Sequence, residues 1–182
     1  MYAAFTASHG EALTSWLFRL SQAHGLTPHT FCSIVVPGVE IWNRDIDRWI
    51  PERSIELLSR NLGISPPAIQ NATIAGSYRG NLRKVTRDNN VPWLLNVGVY
   101  HRVRRRHGQQ FCPDCIAETG RLKLSWRHAG HVWCSEHNRQ LLDACPACDT
   151  PFTLFYRRAD QMNRCHHCGL RSPENAFQKQ EM

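Results

Sequence analysis

The sequence predicts a mainly α-helical N-terminal domain followed by two small cysteine-rich ribbon modules. Three observations support this fold class. Seven of the eight cysteines follow residue 111, and the remaining one is Cys32. The first half has apolar residues at helical spacing, with capping residues and glycines near the expected helix ends. The second half arranges its cysteines in doublets at metal-ligand spacing. We therefore predict three parts, spanning residues 1–105, 106–140 and 141–182.

The first predicted helix begins near Ser8 and Glu11, which have the S-x-x-E spacing of a capping box. Gly25 is its predicted end, because glycine readily takes the left-handed conformation that ends helices. Between them, apolar residues recur every three or four positions and would form the buried face: Leu13, Trp16, Leu17 and Leu20.

A second predicted helix begins at Thr27 and Pro28, a capping residue followed by a first-turn proline. Pro37 is expected to end it. Cys32 lies in this apolar segment and has no partner at metal-ligand spacing, so we expect a packed thiol. The apolar face of this helix consists of Phe31, Ile34 and Val35.

The segment "PERSIELLSRNLGISPPAIQNATI" predicts a helix-turn-helix. An apolar stripe is followed by Gly63, and Ser65 and Pro66 then begin a new helix that carries Ile69. Helical hairpins that never touch DNA show the same outline, so insertion of the second helix into DNA stays an open alternative. The stripe of the first helix consists of Ile55, Leu58 and Leu62.

The segment "NRDIDRW", which precedes this hairpin, alternates acidic and basic residues. Asp45 and Asp47 lie between Arg44 and Arg48. The pattern predicts a salt-bridged surface or a helix start rather than a catalytic carboxylate pair.

Positive charge is concentrated between the helices and the cysteines. The chain has nineteen arginines against three lysines and a formal net charge of +7. Arginine binds phosphate through two parallel hydrogen bonds, so the run "HRVRRRHG" predicts a nucleic-acid contact, with a solvated basic surface as the alternative. The predicted phosphate ligands are Arg102, Arg104, Arg105 and Arg106.

The second half contains four doublets in which two residues separate two candidate metal ligands. Each doublet predicts a knuckle, a tight turn that directs two side chains at one ion. Eighteen residues separate the first two doublets and sixteen the last two, which suits a two-stranded ribbon between knuckles. The segment "RLKLSWRH" alternates apolar and polar residues and predicts a half-buried strand. The doublets are Cys112–Cys115, Cys134–His137, Cys145–Cys148 and Cys165–Cys168.

Pairing the doublets in chain order gives one site of three cysteines and a histidine and one site of four cysteines. Both donor sets are typical of zinc, so we predict two zinc ions per chain in tandem zinc-ribbon modules. Four protein ligands leave no position for water, so both sites should be structural. Interleaved pairing, redox doublets and iron–sulfur ligation are the alternatives. Four further histidines do not have the two-residue spacing of the doublets, and we expect them on the surface or packed against other side chains: His128, His131, His166 and His167.

The expected compartment agrees with metal binding. The N-terminus has no basic segment followed by an apolar core, and the longest apolar stretch, "VPWLLNVGV", is about half the length required to cross a bilayer. We therefore expect a soluble cytoplasmic protein without a membrane partner. In such a reducing compartment patterned cysteines bind metal more often than they form disulfides, although an extracellular disulfide scaffold is the alternative.

Read together, these segments resemble the TniQ family, the target-selection proteins of certain transposons. The matching segments lie along nearly the whole chain: "GEALTSWLFRLSQAHGL", "NRDIDRW", "FCPDCIAETGRLKLSWRH", "VWCSEHNRQLLDACPACDTPF" and "CHHCG". The resemblance implies a helical domain with a helix-turn-helix followed by tandem zinc-binding modules, with the eight doublet residues as metal ligands.

The resemblance also implies a function. Family members are adaptors that link a target-recognition component to an AAA+ ATPase of the transposition machinery. The chain ends soon after its last doublet, which is similar to the short members of CRISPR-associated transposons, where a guide-RNA complex selects the target. A truncated copy of a longer member is the alternative.

Residue patterns typical of an enzyme are lacking in the sequence, which has no P-loop, no nucleophile motif and no small-molecule site that we recognise. We therefore expect a non-catalytic adaptor that binds an AAA+ ATPase and DNA, and also guide RNA or a CRISPR effector complex if the resemblance extends that far. A zinc-stabilised helix-turn-helix DNA-binding regulator is the alternative.

Overall fold

The computed structural model describes residues 5–78, 85–100, 103–157 and 163–171. Over these ranges the chain is mainly helical, with two short antiparallel hairpins. The helices are α1 (Leu13–Ala23), α2 (Pro28–Val35), α3 (Glu52–Leu62), α4 (Pro66–Asn71), α5 (Ile74–Ser77) and α6 (Pro113–Thr119), with 3-10 turns at Ile41–Asn43 and Leu124–Arg127. The strands are β1 (Val99–Tyr100), β2 (Val103–Arg104), β3 (Trp133–Cys134) and β4 (Arg139–Gln140).

Helix α1 begins later than its predicted capping box. Glu11 accepts a hydrogen bond from the backbone N–H of Ser8 at 2.9 Å, but this pair lies in a turn before the helix. The N-terminus of α1 is instead capped by Asp47, whose carboxylate accepts from the Thr14 backbone N–H at 2.7 Å and from its hydroxyl at 2.6 Å. Glu11 accepts from Arg19 through two hydrogen bonds of 2.7 and 2.8 Å. The predicted capping box is therefore wrong as a helix start.

Helix α2 begins and ends, and helix α3 ends, where the sequence indicated. Thr27 caps α2 by accepting from the backbone N–H of Thr30, and Gly63 ends α3 in the left-handed conformation, with φ of 67°. Cys32 is buried, as predicted. Ile34, by contrast, is 44% exposed, because α2 is covered on one side only and Ile34 lies away from that side.

Helices α1 to α4 enclose one of the two apolar cores. Helix α1 packs against α2, and α3 packs against both α2 and α4. Helix α4 has only six residues, and the helix-turn-helix interpretation of α3 and α4 stays a prediction. The fully buried side chains of this core include Leu13, Trp16, Leu17, Leu20, Phe31, Val35, Ile41, Ile46, Leu58 and Ile69.

The second core is shared between helices of the first half and the cysteine-rich segments. Phe18 of α1 and Ile74 of α5 belong to the same cluster as Cys112, Trp126 and Phe152. The backbone also connects them, since the Ala12 N–H donates to the Leu122 carbonyl at 2.8 Å. Residues on both sides of position 105/106 therefore contribute to a single core.

The segment "RLKLSWRH" does not form the predicted strand. Leu124–Arg127 form a 3-10 turn, although Leu122, Leu124 and Trp126 are buried as the alternation suggested. Among the described residues, pairing with the segment before α1 is limited to one antiparallel bridge between Lys123 and Glu11, in which the Ala12 N–H donates to the Leu122 carbonyl and the Leu124 N–H donates to the Gly10 carbonyl. The chain then enters the 3-10 turn. Trp133, in β3, is 50% exposed.

The segment "NRDIDRW" is buried at its centre, from Ile46 to Arg48, and half-buried on either side. Asp47 is fully buried, and Arg48 is 6% exposed and donates to the side chains of Asn89 and Asn96. Asp45 accepts two hydrogen bonds from Arg127, which is itself 1% exposed. The predicted surface role is therefore wrong, and the segment connects the helices to later parts of the chain.

Among the residues that the structure describes, no helix has the length and apolar character needed to cross a membrane.

Candidate metal centres

The first half of the first cluster is built at a helix start. Cys112 is the N-cap of α6, Pro113 occupies its first turn, and Cys115 follows within that turn. We predicted a knuckle turn here, but a helix forms because Pro113 suits the first helical position and Gly120, with φ of 65°, ends the helix. Both sulfurs thus lie at the N-terminal end of α6, where backbone N–H groups favour negative charge.

The other half of this cluster is a hairpin. Strands β3 and β4 pair Cys134 with Arg139, and the chain turns between them. Asn138 takes the left-handed conformation, with φ of 47°, which a short polar side chain tolerates. This turn aims Cys134 and His137 at the start of α6.

The ligand atoms of the first cluster have the spacing of a tetrahedral site. His137 Nδ1 lies 3.6, 3.3 and 3.7 Å from the sulfurs of Cys112, Cys115 and Cys134. The sulfurs of Cys115 and Cys134 are 3.7 Å apart. Four ligands around one zinc ion, with zinc–sulfur bonds of about 2.3 Å, require sulfur atoms about 3.8 Å apart. The spacing therefore fits a single ion between the four atoms.

Two glutamates surround this cluster, and sequence reasoning missed both. Glu118 Oε1 lies 3.0 Å from His137 Nε2, so the histidine presents Nδ1 to the other ligands. Glu136 accepts from the Cys115 thiol at 3.3 Å and forms an ion pair with Lys123. Glu118 could have been found from its position three residues after Cys115, because that spacing places both on one face of α6.

Burial and hydrogen bonds shift the pKa values of the first-cluster thiols in different directions. Burial raises the pKa of Cys112 and of Cys115. For Cys134, burial opposes ionisation, but hydrogen bonds from His137 outweigh it and lower its pKa to about 7. Hydrogen bonds to Cys134 and Glu118 raise the pKa of His137. A divalent cation would offset the cost of several thiolates in one buried place.

The second cluster consists of two similar knuckles. Cys145 Sγ lies 3.6 Å from Cys168 Sγ, and Cys148 Sγ lies 3.7 Å from Cys165 Sγ. All four sulfurs lie within 4.8 Å of one another, as do the four ligand atoms of the first cluster. The structure thus brings the eight candidate ligands together as two groups of four, in chain order.

The two knuckles repeat the same backbone hydrogen bonds. The first cysteine of each donates to the carbonyl five residues later, that of Thr150 or Leu170, at 3.0 and 2.8 Å. The residue after the second cysteine takes a positive φ, 55° at Asp149 and 77° at Gly169. This geometry matches the knuckles that the doublet spacing predicted.

The second cluster is much less covered than the first. Cys112, Cys115 and Cys134 are 0, 3 and 2% exposed, whereas Cys168 is exposed and Cys145 is half-buried. Even so, burial raises the pKa of Cys145 to about 12. A hydrogen bond with the Thr150 hydroxyl is the main cause of the lower pKa of Cys148, about 5.

The predicted phosphate contacts are only partly within the described residues. Arg102 lies outside them, and for Arg104 the structure gives the backbone position in β2. Arg105 and Arg106 are exposed just after this hairpin. The neighbouring His107 contacts the second cluster, with Nε2 3.0 Å from the Asp149 carbonyl. The nucleic-acid role of these arginines stays a prediction.

Comparison with known proteins agrees with this architecture. The model of the TniQ family matches residues 5–141, from the segment before α1 to the end of the hairpin that completes the first cluster. A search of curated proteins finds no match. The family match covers most of the 182-residue chain, and the chain therefore belongs to the TniQ family.

Proposed function

We propose that this chain is a non-catalytic adaptor of DNA transposition that links target recognition to an AAA+ ATPase. The observation that carries the proposal is the family match over residues 5–141, which includes α1 to α6, most of both apolar cores and the whole first cluster. The adaptor acts in the cytoplasm and binds DNA, and in a CRISPR-associated setting its recognition partner is a guide-RNA complex.

Both clusters hold zinc in this proposal. The donor sets are three cysteines with a histidine and four cysteines, and zinc takes both in closed structural sites. Bound zinc would supply the positive charge that holds the thiolates together, and the protein residues would keep water away from the first ion. We expect elemental analysis of the purified chain to find two zinc ions, and one ion or iron would contradict this assignment.

The adaptor role is tested by reconstitution with the ATPase from the same locus. We expect the ATPase to be recruited to target DNA only when this chain is present, because an adaptor supplies surfaces for two partners. Equal targeted insertion without the chain, or cutting or joining of DNA by the chain alone, would contradict the proposal. Zinc loading of each preparation is measured beforehand, so that an unfolded sample is recognised.

The basic run gives a second test. Neutralising Arg102, Arg104, Arg105 and Arg106 should weaken nucleic-acid binding about equally across sequences and reduce its salt dependence, by roughly one unit of log–log slope for each lost phosphate contact. Neutralising Arg53, Arg60, Arg87 and Arg171, which are exposed elsewhere in the chain, removes the same four charges and is the matched control. An unchanged slope in the first variant would mean that the run is a solvated surface.

The alternative function is a helix-turn-helix DNA-binding regulator. Its support is the packing of α3 against α4 across the turn at Gly63. Helix α4 exposes Asn71 and half-exposes Gln70. Alanine is substituted at these two positions. If binding to one DNA sequence were abolished while ATPase recruitment persisted, the result would favour a DNA-binding regulatory function for α3 and α4.

A further inference from the structure

We propose that the second cluster is a site of reversible oxidation, at which a peroxide converts Cys145 and Cys168 to a disulfide and releases one zinc ion. The proposal rests on the zinc occupancy proposed above. A hydroperoxide is the reactant at this site, and the first cluster of the same chain resists oxidation.

The first argument is the difference in exposure between the two clusters. Susceptibility of a cysteine to oxidation follows its thiolate character and its exposure. Metal ligation gives both clusters thiolate character, so exposure decides between them. Cys168 is exposed, whereas the three cysteines of the first cluster are at most 3% exposed. A peroxide in solution can reach the sulfur of Cys168 without any opening of the fold.

The second argument is the place of each cluster in the core. Cys112, Cys115 and Cys134 belong to the apolar core that also contains Phe18 of α1 and Trp126. None of the four cysteines of the second cluster belongs to either core. The first cluster can therefore open only with much of the protein, whereas the second can open locally, at a lower free-energy cost.

The third argument is the presence of a neighbouring thiol that can complete the reaction. Cys145 Sγ lies 3.6 Å from Cys168 Sγ. A sensor cysteine is often placed next to such a resolving cysteine, because the sulfenic acid formed first would otherwise be oxidised irreversibly. The other close pair, Cys148 and Cys165, has no exposed member, because both residues are half-buried, whereas Cys168 is exposed.

The chemistry balances with the peroxide as the two-electron oxidant. The Cys168 thiolate attacks one peroxide oxygen, the O–O bond breaks, and hydroxide leaves as the sulfenic acid forms. The Cys145 thiolate then attacks that sulfur, the S–O bond breaks, a second hydroxide leaves, and the S–S bond forms. Two protons from solvent convert both hydroxides to water when hydrogen peroxide is the oxidant. The zinc ion has lost two of its four ligands and dissociates.

The consequence is a local change rather than unfolding of the protein. The knuckles around Cys145 and Cys165 would lose the ion that joins them. Helices α1 to α6 and the first cluster would keep the contacts among their own core residues, and Phe152 and Leu154 are the members of that core that lie between the two knuckles. An oxidant would therefore disrupt the surface formed by the second cluster and leave the helices and the first cluster folded. Reduction by a thiol in the presence of zinc should restore it.

The experiment measures zinc release from the full chain loaded with two zinc ions. Hydrogen peroxide is added in the presence of a chromogenic zinc chelator, and the disulfide is identified by mass spectrometry after alkylation of free thiols. We expect loss of one of the two ions, together with a Cys145–Cys168 disulfide and unmodified Cys112, Cys115 and Cys134. Dithiothreitol and zinc should return the second ion.

The matched variant is Cys168→His, which gives the second cluster the donor set of the first and removes the exposed thiolate. It should keep two ions and release neither over the time in which the unmodified chain releases one. If this variant binds only one ion, Cys168→Ser serves instead, and its remaining ion should resist peroxide over that time.

Three results would overturn the proposal: simultaneous loss of both ions, loss of one ion with oxidation of the first cluster, or undiminished release of one ion from Cys168→His. A starting preparation without two zinc ions would instead contradict the zinc occupancy on which the proposal rests. Loss of the adaptor activity without loss of zinc would leave this oxidation site standing and contradict only the adaptor role.

Discussion

The buried ion pair between Arg127 and Asp45 should be a main support of the fold. The guanidinium is 1% exposed and donates to the Asp45 carboxylate at 3.0 and 2.6 Å. It also donates twice to the Leu95 carbonyl, at 3.0 and 2.8 Å. The pair thus joins the segment before α3, the segment before β1 and the turn that precedes the hairpin of the first cluster.

Asp45→Asn isolates the charge of this pair, because the amide keeps the shape and one acceptor oxygen of the carboxylate. The substitution removes the carboxylate that pairs directly with the buried guanidinium, although the nearby Asp47 still acts on it. Breaking a buried pair costs about 3–5 kcal/mol in comparable sites. Since the Asp45 side chain is 14% exposed, water relieves part of this cost, and we expect a loss near the lower end, about 3 kcal/mol. For a chain of this length, that corresponds to a fall in Tm of about 6–12 °C.

The measurement is unfolding by heat and by urea, followed by far-UV circular dichroism in zinc-containing buffer. The matched control is Asp88→Asn, which removes an ion pair with Arg87 whose side chains are 66 and 85% exposed. That pair should contribute less than about 1 kcal/mol, because solvent screens it. If the two variants lose the same stability, the reasoning about the buried pair is refuted.

Three further predictions follow from the clusters and the core. Cys145→Ser should disturb mainly the second cluster. Cys115→Ser should also reduce the helical signal in far-UV circular dichroism, because Cys115 shares a core with α1. Equal losses of this signal in the two variants would contradict the prediction. Glu118→Ala should weaken zinc binding at the first cluster by about 10- to 100-fold in chelator competition, since Glu118 orients His137, and Glu118→Gln should lose less. Burial raises the pKa of Cys32 to about 12. The folded state therefore retains a proton that the unfolded thiol loses above about pH 9, and the free energy of unfolding should fall by about 1.4 kcal/mol per pH unit above it. Urea titrations should show a smaller fall in Cys32→Ala, and an equal one would contradict the assignment.

Several elements were predictable because their signals are local. Thr27 and Pro28 begin α2, and Gly63 ends α3, since each acts within one turn of the backbone. The knuckles of the second cluster also formed as the spacing indicated. The exposure of Ile34 was not predictable from periodicity, because it depends on which neighbours cover α2.

The segment "RLKLSWRH" shows where a local pattern was insufficient. Its alternation correctly indicated that Leu122, Leu124 and Trp126 are buried, but it did not indicate the burial of Arg127. Within the described part of the chain, the backbone pairs with the segment before α1 only at Lys123 and then turns into the 3-10 turn. A period of two marks alternating burial and does not by itself distinguish a strand from a turn packed on helices.

The sequence by itself determined the eight candidate ligands and their arrangement as four doublets, because two ligands within four residues can meet only through a tight turn or a helix start. The structure decided which doublets share a site, since it brings them together in chain order. The sequence also indicated the family, through the motifs around those ligands. Only the tertiary structure decided which charged side chains are buried and which partners they have. Arg127 and Asp45 are 82 residues apart in the chain, and Asp47 caps α1 from 33 residues away. Each charge looks solvated in its own segment, and only the folded chain shows which distant partner makes its burial favourable.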